Sequence, residues 1–199
     1  MVSKQSDALS KENRLLLLKL ARESIKARLD GKPAPHHAIP DSLTVKQGAF
    51  VTLKIDGELR GCIGHIIPIE PLFKSVEDNA VNAAFRDPRF SPLSKDEFRS
   101  IKIEVSVLSV PKPLPFASPE ELLEKLRPKI DGVILKKGRS ISTFLPQVWE
   151  DLPEKVDFLE YLSRKAGLAK DAWKDAKIEV YQADHFSESD IPSREPSVP

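Results

Sequence analysis

The chain has 199 residues, enough for one globular domain with a sizeable core, and its 40% hydrophobic and 31% charged composition argues against a disordered or membrane-embedded protein. Thirty-one Lys and Arg against 30 Asp and Glu leave a net charge of +1, which disfavours a protein that lives on phosphate backbones. A single cysteine, Cys62, excludes an internal disulfide. With a start too polar for a leader peptide and no apolar run of membrane length, the expected location is the cytoplasm.

The first predicted element is a helix capped by Ser10, with Leu15, Leu18, Ile25 and Leu29 near helical spacing and Gly31 as its stop. The proline-rich KPAPHHAIP cannot continue it. AFVTLKIDGELRGCIG is a hairpin signal with two competing registers. A two-residue Asp56-Gly57 turn sets Lys54 opposite Leu59 and Leu53 opposite Arg60. A three-residue Ile55-Asp56-Gly57 loop sets Leu53 opposite Leu59, Val51 opposite Gly61 and Lys54 opposite Glu58. The second matches apolar to apolar and opposite charges to each other, and is preferred here. By strand alternation Arg60 and Cys62 then share a face, while Leu59 and Ile63 anchor the other.

PIEPLFKSVEDNAVNAAFRD reads as a helix with Pro71 in its first turn and an apolar stripe at Leu72, Val76, Ala80 and Ala83, ended by Pro88. Ser94 and Glu97 form a capping-box pattern for a short helix. SIKIEVSVLSV alternates as a strand with a polar second face at Lys102, Glu104 and Ser106. Ser118, Pro119 and Glu121 open another helix, and DGVILKKGRSISTFLP is a second hairpin around Lys137-Gly138-Arg139. EKVDFLEYLSRKAGL is an amphipathic helix stopped by Gly167, a short helix follows near Trp173, and KIEVYQADHF is a last strand. The tail from 187 to 199 carries almost no apolar content and is expected to be disordered. The expected class is therefore α+β: a mainly antiparallel sheet built from hairpins and flanked by helices, with a smaller helical lobe left open, as one domain over residues 1–186.

In this order FVTL, LRGCIG, DPRF, EVSVL, DGVIL, TFLPQVW and KAGL resemble the AMMECR domain family over roughly residues 10–186. The resemblance implies an intracellular α+β domain. It also implies a recurrent association with a Memo-like protein and a radical SAM protein, the grouping called AmmeMemoRadiSam. It implies no settled reaction.

Cys62 is the candidate nucleophile or acceptor, with Arg60 favouring its thiolate and anchoring an anion. His65 could serve as a base, although three residues on it lies on the opposite side of a regular strand. Gly61 and Gly64 would let a ligand approach the backbone. Arg89, with Arg86, could bind an anion; Glu104 could pair with Arg60 across the sheet; Gln147 could read a ligand by its amide. Each has a structural alternative: a cysteine packed as a small hydrophobe, glycines marking a bulge, Arg89 paired with Asp87, and Gln147 bonding its own loop. No metal-ligand spacing occurs, and no GxGxxG, P-loop or CxxxCxxC indicates a cofactor. Three functions are carried forward. One is a small-substrate enzyme or enzyme partner linked to the radical SAM system, another a non-catalytic interaction module using the same strand, and the weakest a nucleic-acid-associated regulator.

Overall fold

Capping residues set the helix ends. In the computed structural model, which describes residues 9–190, α1 (Lys11–Asp30) begins where the Ser10 side chain accepts from the Asn13 N–H and ends at Gly31, whose φ of 64° suits a residue without Cβ. The chain then runs through α2 (Asp41–Thr44), β1 (Ala49–Ile55), β2 (Glu58–His65), α3 (Leu72–Phe85), α4 (Lys95–Ser100) and β3 (Lys102–Leu108). After these come β4 (Lys112–Pro113), α5 (Pro119–Lys125), β5 (Gly132–Lys137), β6 (Ser140–Phe144), α6 (Lys155–Lys165), β7 (Lys177–Tyr181) and β8 (Ala183–Ser187). The class is α+β, with one four-stranded sheet ordered β2-β1-β3-β8 and another ordered β4-β7-β5-β6.

Among the described residues, 9–108 with 184–190 form one compact unit and 109–183 a second. The smaller unit, which the sequence left open as a helical lobe, carries a sheet of its own. In the first unit the predicted stripe of α3 (Leu72, Val76, Ala80, Ala83) and Leu17, Ala21 and Ile25 of α1 cover Val51, Leu53, Ile103 and Val105 of the sheet. Each of these side chains is fully or almost fully removed from water, contributing on the order of 1.5–3 kcal/mol for each large aliphatic. The second unit is aromatic at its centre: Phe158 stacks on Trp149 with ring centroids 3.6 Å apart, and Phe144 meets Phe158 edge-on.

The first hairpin departs from the preferred register. Ile55 pairs with Glu58 and Lys54 with Leu59, so the turn holds two residues, Asp56 and Gly57, at φ 51° and 86°. Positive φ at both central positions gives the turn a twist that suits the flanking strands, which outweighs the charge and apolar matching of the three-residue loop. A bulge follows. Leu53 pairs with Gly61, so Arg60 has no partner on β1 and the later pairs realign as Thr52 with Cys62 and Val51 with Ile63. Ile63 packs on the core as expected, but Leu59, expected as an anchor, is 41% exposed beside the turn.

The predicted last strand is two strands. β7 belongs to the second sheet and β8 to the first, divided at Gln182. Residues 187–190, grouped with the tail in the sequence reading, finish β8 and a single 3₁₀ turn, while 191–199 lie outside the described residues. Glu188 in that turn takes a bidentate pair from Arg22 of α1 and the Ile103 N–H of β3, and Asp184 takes Arg14 and the Leu9 N–H. The first unit is thus closed by a strand that returns after 75 intervening residues and is held to α1 by ion pairs at both of its ends.

Candidate functional site

Strand alternation and the bulge together aim β2. Val51, Leu53 and Ile63 go to the helix-covered side, and Thr52 and Cys62 go to the other. The Cys62 N–H donates to Asp87 Oδ2 at 2.9 Å, and Arg89 Nη2 donates to the Cys62 carbonyl at 3.4 Å. Both backbone groups therefore point away from β1, which makes Thr52 and Cys62 a non-hydrogen-bonded pair, the kind whose side chains lie closest. Accordingly Thr52 Oγ1 donates to Cys62 Sγ at 3.2 Å. Glu104 stands opposite Thr52 on β3, pairs with Lys54 Nζ at 2.9 Å, and lies 3.9 Å from His185 Nε2 of β8. His185 Nδ1 is 3.1 Å from Ser106 Oγ. One face of this sheet thus carries a thiol, a hydroxyl, a carboxylate and an imidazole on four successive strands.

β2 is an edge strand, and the DPRF loop closes its open side at Cys62. Asp87 offers an acceptor to the N–H and Arg89 a donor to the carbonyl, which together stand in for a neighbouring strand. The Asp87 carboxylate, its side chain only 2% exposed, also takes Arg89 N–H at 3.1 Å, Nε at 2.9 Å and Nη2 at 2.6 Å. Those bonds, the Arg89 guanidinium first, hold Asp87 well below the usual carboxylate range although burial opposes them. Arg89 is raised in turn, first by Asp87 and last by the charge that Cys62 bears as thiolate.

The other predicted residues are placed as follows. The Arg60 guanidinium, expected beside Cys62, turns to Glu97 Oε1 at 2.7 Å and the Ser91 carbonyl at 2.8 Å, with the Phe90 ring 5.6 Å away. It does not pair with Glu104, as expected from sequence, because the bulge releases it from the β1 register. Arg60, with the Ser94 backbone in second place, lowers Glu97 to about 2. Gly61 is an approach site for the protein itself: a Cβ there would overlap the Ala83 carbonyl oxygen of α3. At Gly64 the Phe50 ring and the Ala49 carbonyl occupy the equivalent space. His65 turns to the helix side, with Nε2 3.3 Å from Ser75 Oγ and 3.9 Å from Glu70, so it does not face Cys62. Gln147 lies in a 3₁₀ segment, Pro146–Glu150, of the second unit. No group of His, Cys, Asp and Glu able to hold a metal occurs among the described residues, and none of their helices is long and apolar enough to cross a membrane.

The sequence reading passed over His185 as a member of the face and took Asp87 only as a partner of Arg89. Period-2 alternation places Thr52, Glu104 and Ser106 on one face of their strands. Joining them to His185 requires the β3–β8 pairing, which no local signal announces.

The AMMECR1 family model matches residues 18–186. Protein NEQ441 of Nanoarchaeum equitans is 44% identical over 171 residues, spanning 83% of this chain and 93% of that protein. Protein MK0488 of Methanopyrus kandleri is 40% identical over 191 residues, 92% of each chain. The crystal structure of the uncharacterized protein PH0010 from Pyrococcus horikoshii superposes with a TM-score of 0.85 at 34% identity, covering 92% of this chain and 94% of that one. With the motifs from LRGCIG to KAGL inside the matched span, the chain belongs to the AMMECR1 family.

Proposed function

We propose that the first unit is a thiol-dependent enzyme domain, or the substrate-accepting partner of one, acting on a small molecule, with Cys62 as nucleophile. The observation that carries this reading is the row of Cys62, Thr52, Glu104 and His185 across one sheet face. A hydroxyl donating to sulfur favours the thiolate, the form that attacks electrophiles. Successive strands lie about 4.8 Å apart, so the carboxylate is roughly 10 Å from the thiol across Thr52, the span a substrate bridging the two would cover. Glu104 with His185 is then the acid–base pair at the far end of that substrate, and Asp87 fixes the backbone of the nucleophile. The setting proposed for it, which the family resemblance implies, is a cytoplasmic pathway shared with Memo-like and radical SAM proteins.

Native protein is to be treated with iodoacetamide across pH 5–9 and Cys62 alkylation followed by intact mass. Rapid labelling on the acid side of the ordinary thiol range of about 8.5 is expected. A thiol that resists until the protein is denatured would sink the reading. In that event the interaction-module reading gains, with Leu59 exposed beside the hairpin turn and Ile67 and Ile69, 70% and 60% exposed, in the loop after β2 as its contact residues.

A further inference from the structure

The three arginines around LRGCIG and DPRF are committed to different degrees. Arg60 is only 11% exposed and donates Nε and Nη2 to Glu97, so its charge is directed inward. Arg86 is exposed, but its Nη1 reaches Asn82 at the end of α3 and none of its bonds involves β2. Arg89 differs from both. Its Nε and Nη2 are bound by Asp87, Nη2 also touches the Cys62 carbonyl, and Nη1 has no hydrogen-bond partner among the described residues. The side chain is 53% exposed while that of Asp87 is 2% exposed. The ion pair is therefore oriented, with its negative end buried and its positive end toward solvent beside the nucleophile. A ligand arriving from solvent is nearer the guanidinium than the carboxylate behind it, and the nearer charge dominates. The fixed fork also suits a planar or tetrahedral oxyanion better than an ammonium would.

We infer that Arg89, oriented by Asp87, is the anion-recognising group of the Cys62 site, so that the electrophile attacked by the thiol carries an oxyanion, carboxylate or phosphate. This rests on Cys62 being the reactive thiol proposed above. Because Asp87 cancels part of the charge and solvent screens the rest, the preference for an anionic over a neutral reagent is modest, about threefold, and falls with added salt.

The test compares two reagents of nearly equal size, iodoacetate and iodoacetamide. With each, the thiolate sulfur forms a bond to carbon while the carbon–iodine bond breaks and iodide leaves with the electron pair. The iodoacetate-to-iodoacetamide rate ratio at Cys62 is expected to be about threefold higher in native than in denatured protein, as estimated for a partly screened charge pair. Arg89→Gln should return the ratio to the denatured value, Arg89→Lys should keep part of the preference, and Arg86→Gln should leave it unchanged. Protection of Cys62 by inorganic phosphate but not acetate would assign the head group to phosphate, and the reverse to carboxylate. A native ratio no higher than the denatured one, with iodoacetamide still labelling the native thiol, overturns the role of Arg89 and leaves Cys62 as nucleophile. If neither reagent labels the native protein, both proposals fall. Circular dichroism melts of each variant establish that a lost preference is not lost folding.

Discussion

β2 and β6 are both edge strands, and each closes a hairpin over a two-residue turn, Asp56–Gly57 in the first unit and Gly138–Arg139 in the second. The β5–β6 register runs without interruption from Val133 with Phe144 to Lys137 with Ser140. The β1–β2 register slips once, at Arg60, two residues before the thiol. Their edges are covered by different means. Lys165 Nζ caps the Thr143 carbonyl on β6, whereas on β2 a buried carboxylate and an arginine from one tetrapeptide bind both backbone groups of a single residue, Cys62. A regular hairpin is sufficient for architecture. The irregular one concentrates the chain's only cysteine, a bulge and an oriented ion pair, which is where departures from local pairing rules are expected to serve function.

The same contrast runs through the two cores, aliphatic in the first unit and stacked aromatic in the second. It also separates the optical reporters. Both tryptophans (149, 173) and both tyrosines (161, 181) lie in the second unit, and the single cysteine lies in the first. Tryptophan emission and thiol titration therefore follow the two units independently.

The largest expected effect is Phe158→Ala, which removes the partner of both Trp149 and Phe144 from a fully buried position and should cost about 4 kcal/mol. Urea unfolding followed by tryptophan emission measures it, and a loss under about 1 kcal/mol would show that the stack is not what holds this unit. Next is a paired glycine test. Gly61→Ala drives a methyl into the Ala83 carbonyl and should cost about 3 kcal/mol. Gly138→Ala meets no atom within 4 Å and carries only the strain of φ 60°, about 1 kcal/mol. Equal losses would mean that α3 moves readily away from β2.

The smallest effects are in pH. Glu97 and Asp87 have folded pKa values below their unfolded ones, so their stabilisation is full above about pH 4 and is lost as pH falls through the folded values, near 2 for Glu97. Glu97 is about a third exposed, so its contribution is on the order of 1 kcal/mol after screening. Tyr181 behaves in the opposite sense. Burial pushes its phenol to about 12, so the unfolded chain ionises first and stability declines as pH rises from about 10 toward 12. Thiol exposure should therefore report acid weakening of the first unit and tryptophan emission alkaline weakening of the second. The reverse pattern would contradict both assignments.

Most helix boundaries were legible because their determinants are local. Ser10 and Gly31 bracket α1, Ser94 and Glu97 form a complete capping box on α4, and Gly167 takes the left-handed conformation after α6. Ser118, Pro119 and Glu121 open α5 as expected, the Ser118 hydroxyl accepting from the Glu121 N–H, while the Glu121 carboxylate takes the Ala117 N–H. Less of the site was legible. Gly61 was read as a bulge marker only as an alternative to ligand approach; the bulge does fall beside it, at Arg60, and Gly61 lies against the Ala83 carbonyl of α3. Nothing near Asp87 announces Cys62, 25 residues earlier in sequence, as its partner. KIEVYQADHF alternates smoothly enough to read as one strand although its halves pair in different sheets, and so His185 could not be brought beside Glu104.

Where the second unit begins and ends, Ser109 and Gln182 bond to each other twice, the Ser109 N–H to the Gln182 carbonyl and the Gln182 N–H to Ser109 Oγ, each at 2.9 Å. The segment therefore leaves and rejoins the chain at one point, between the neighbouring strands β3 and β8. Its topology is that of a graft rather than a bead on a string. The host sheet is covalently interrupted yet geometrically whole, and a short linker between Leu108 and Asp184 would restore a continuous chain. The grafted piece, cut at its neck, would have adjoining termini, suited to expression alone or to circular permutation.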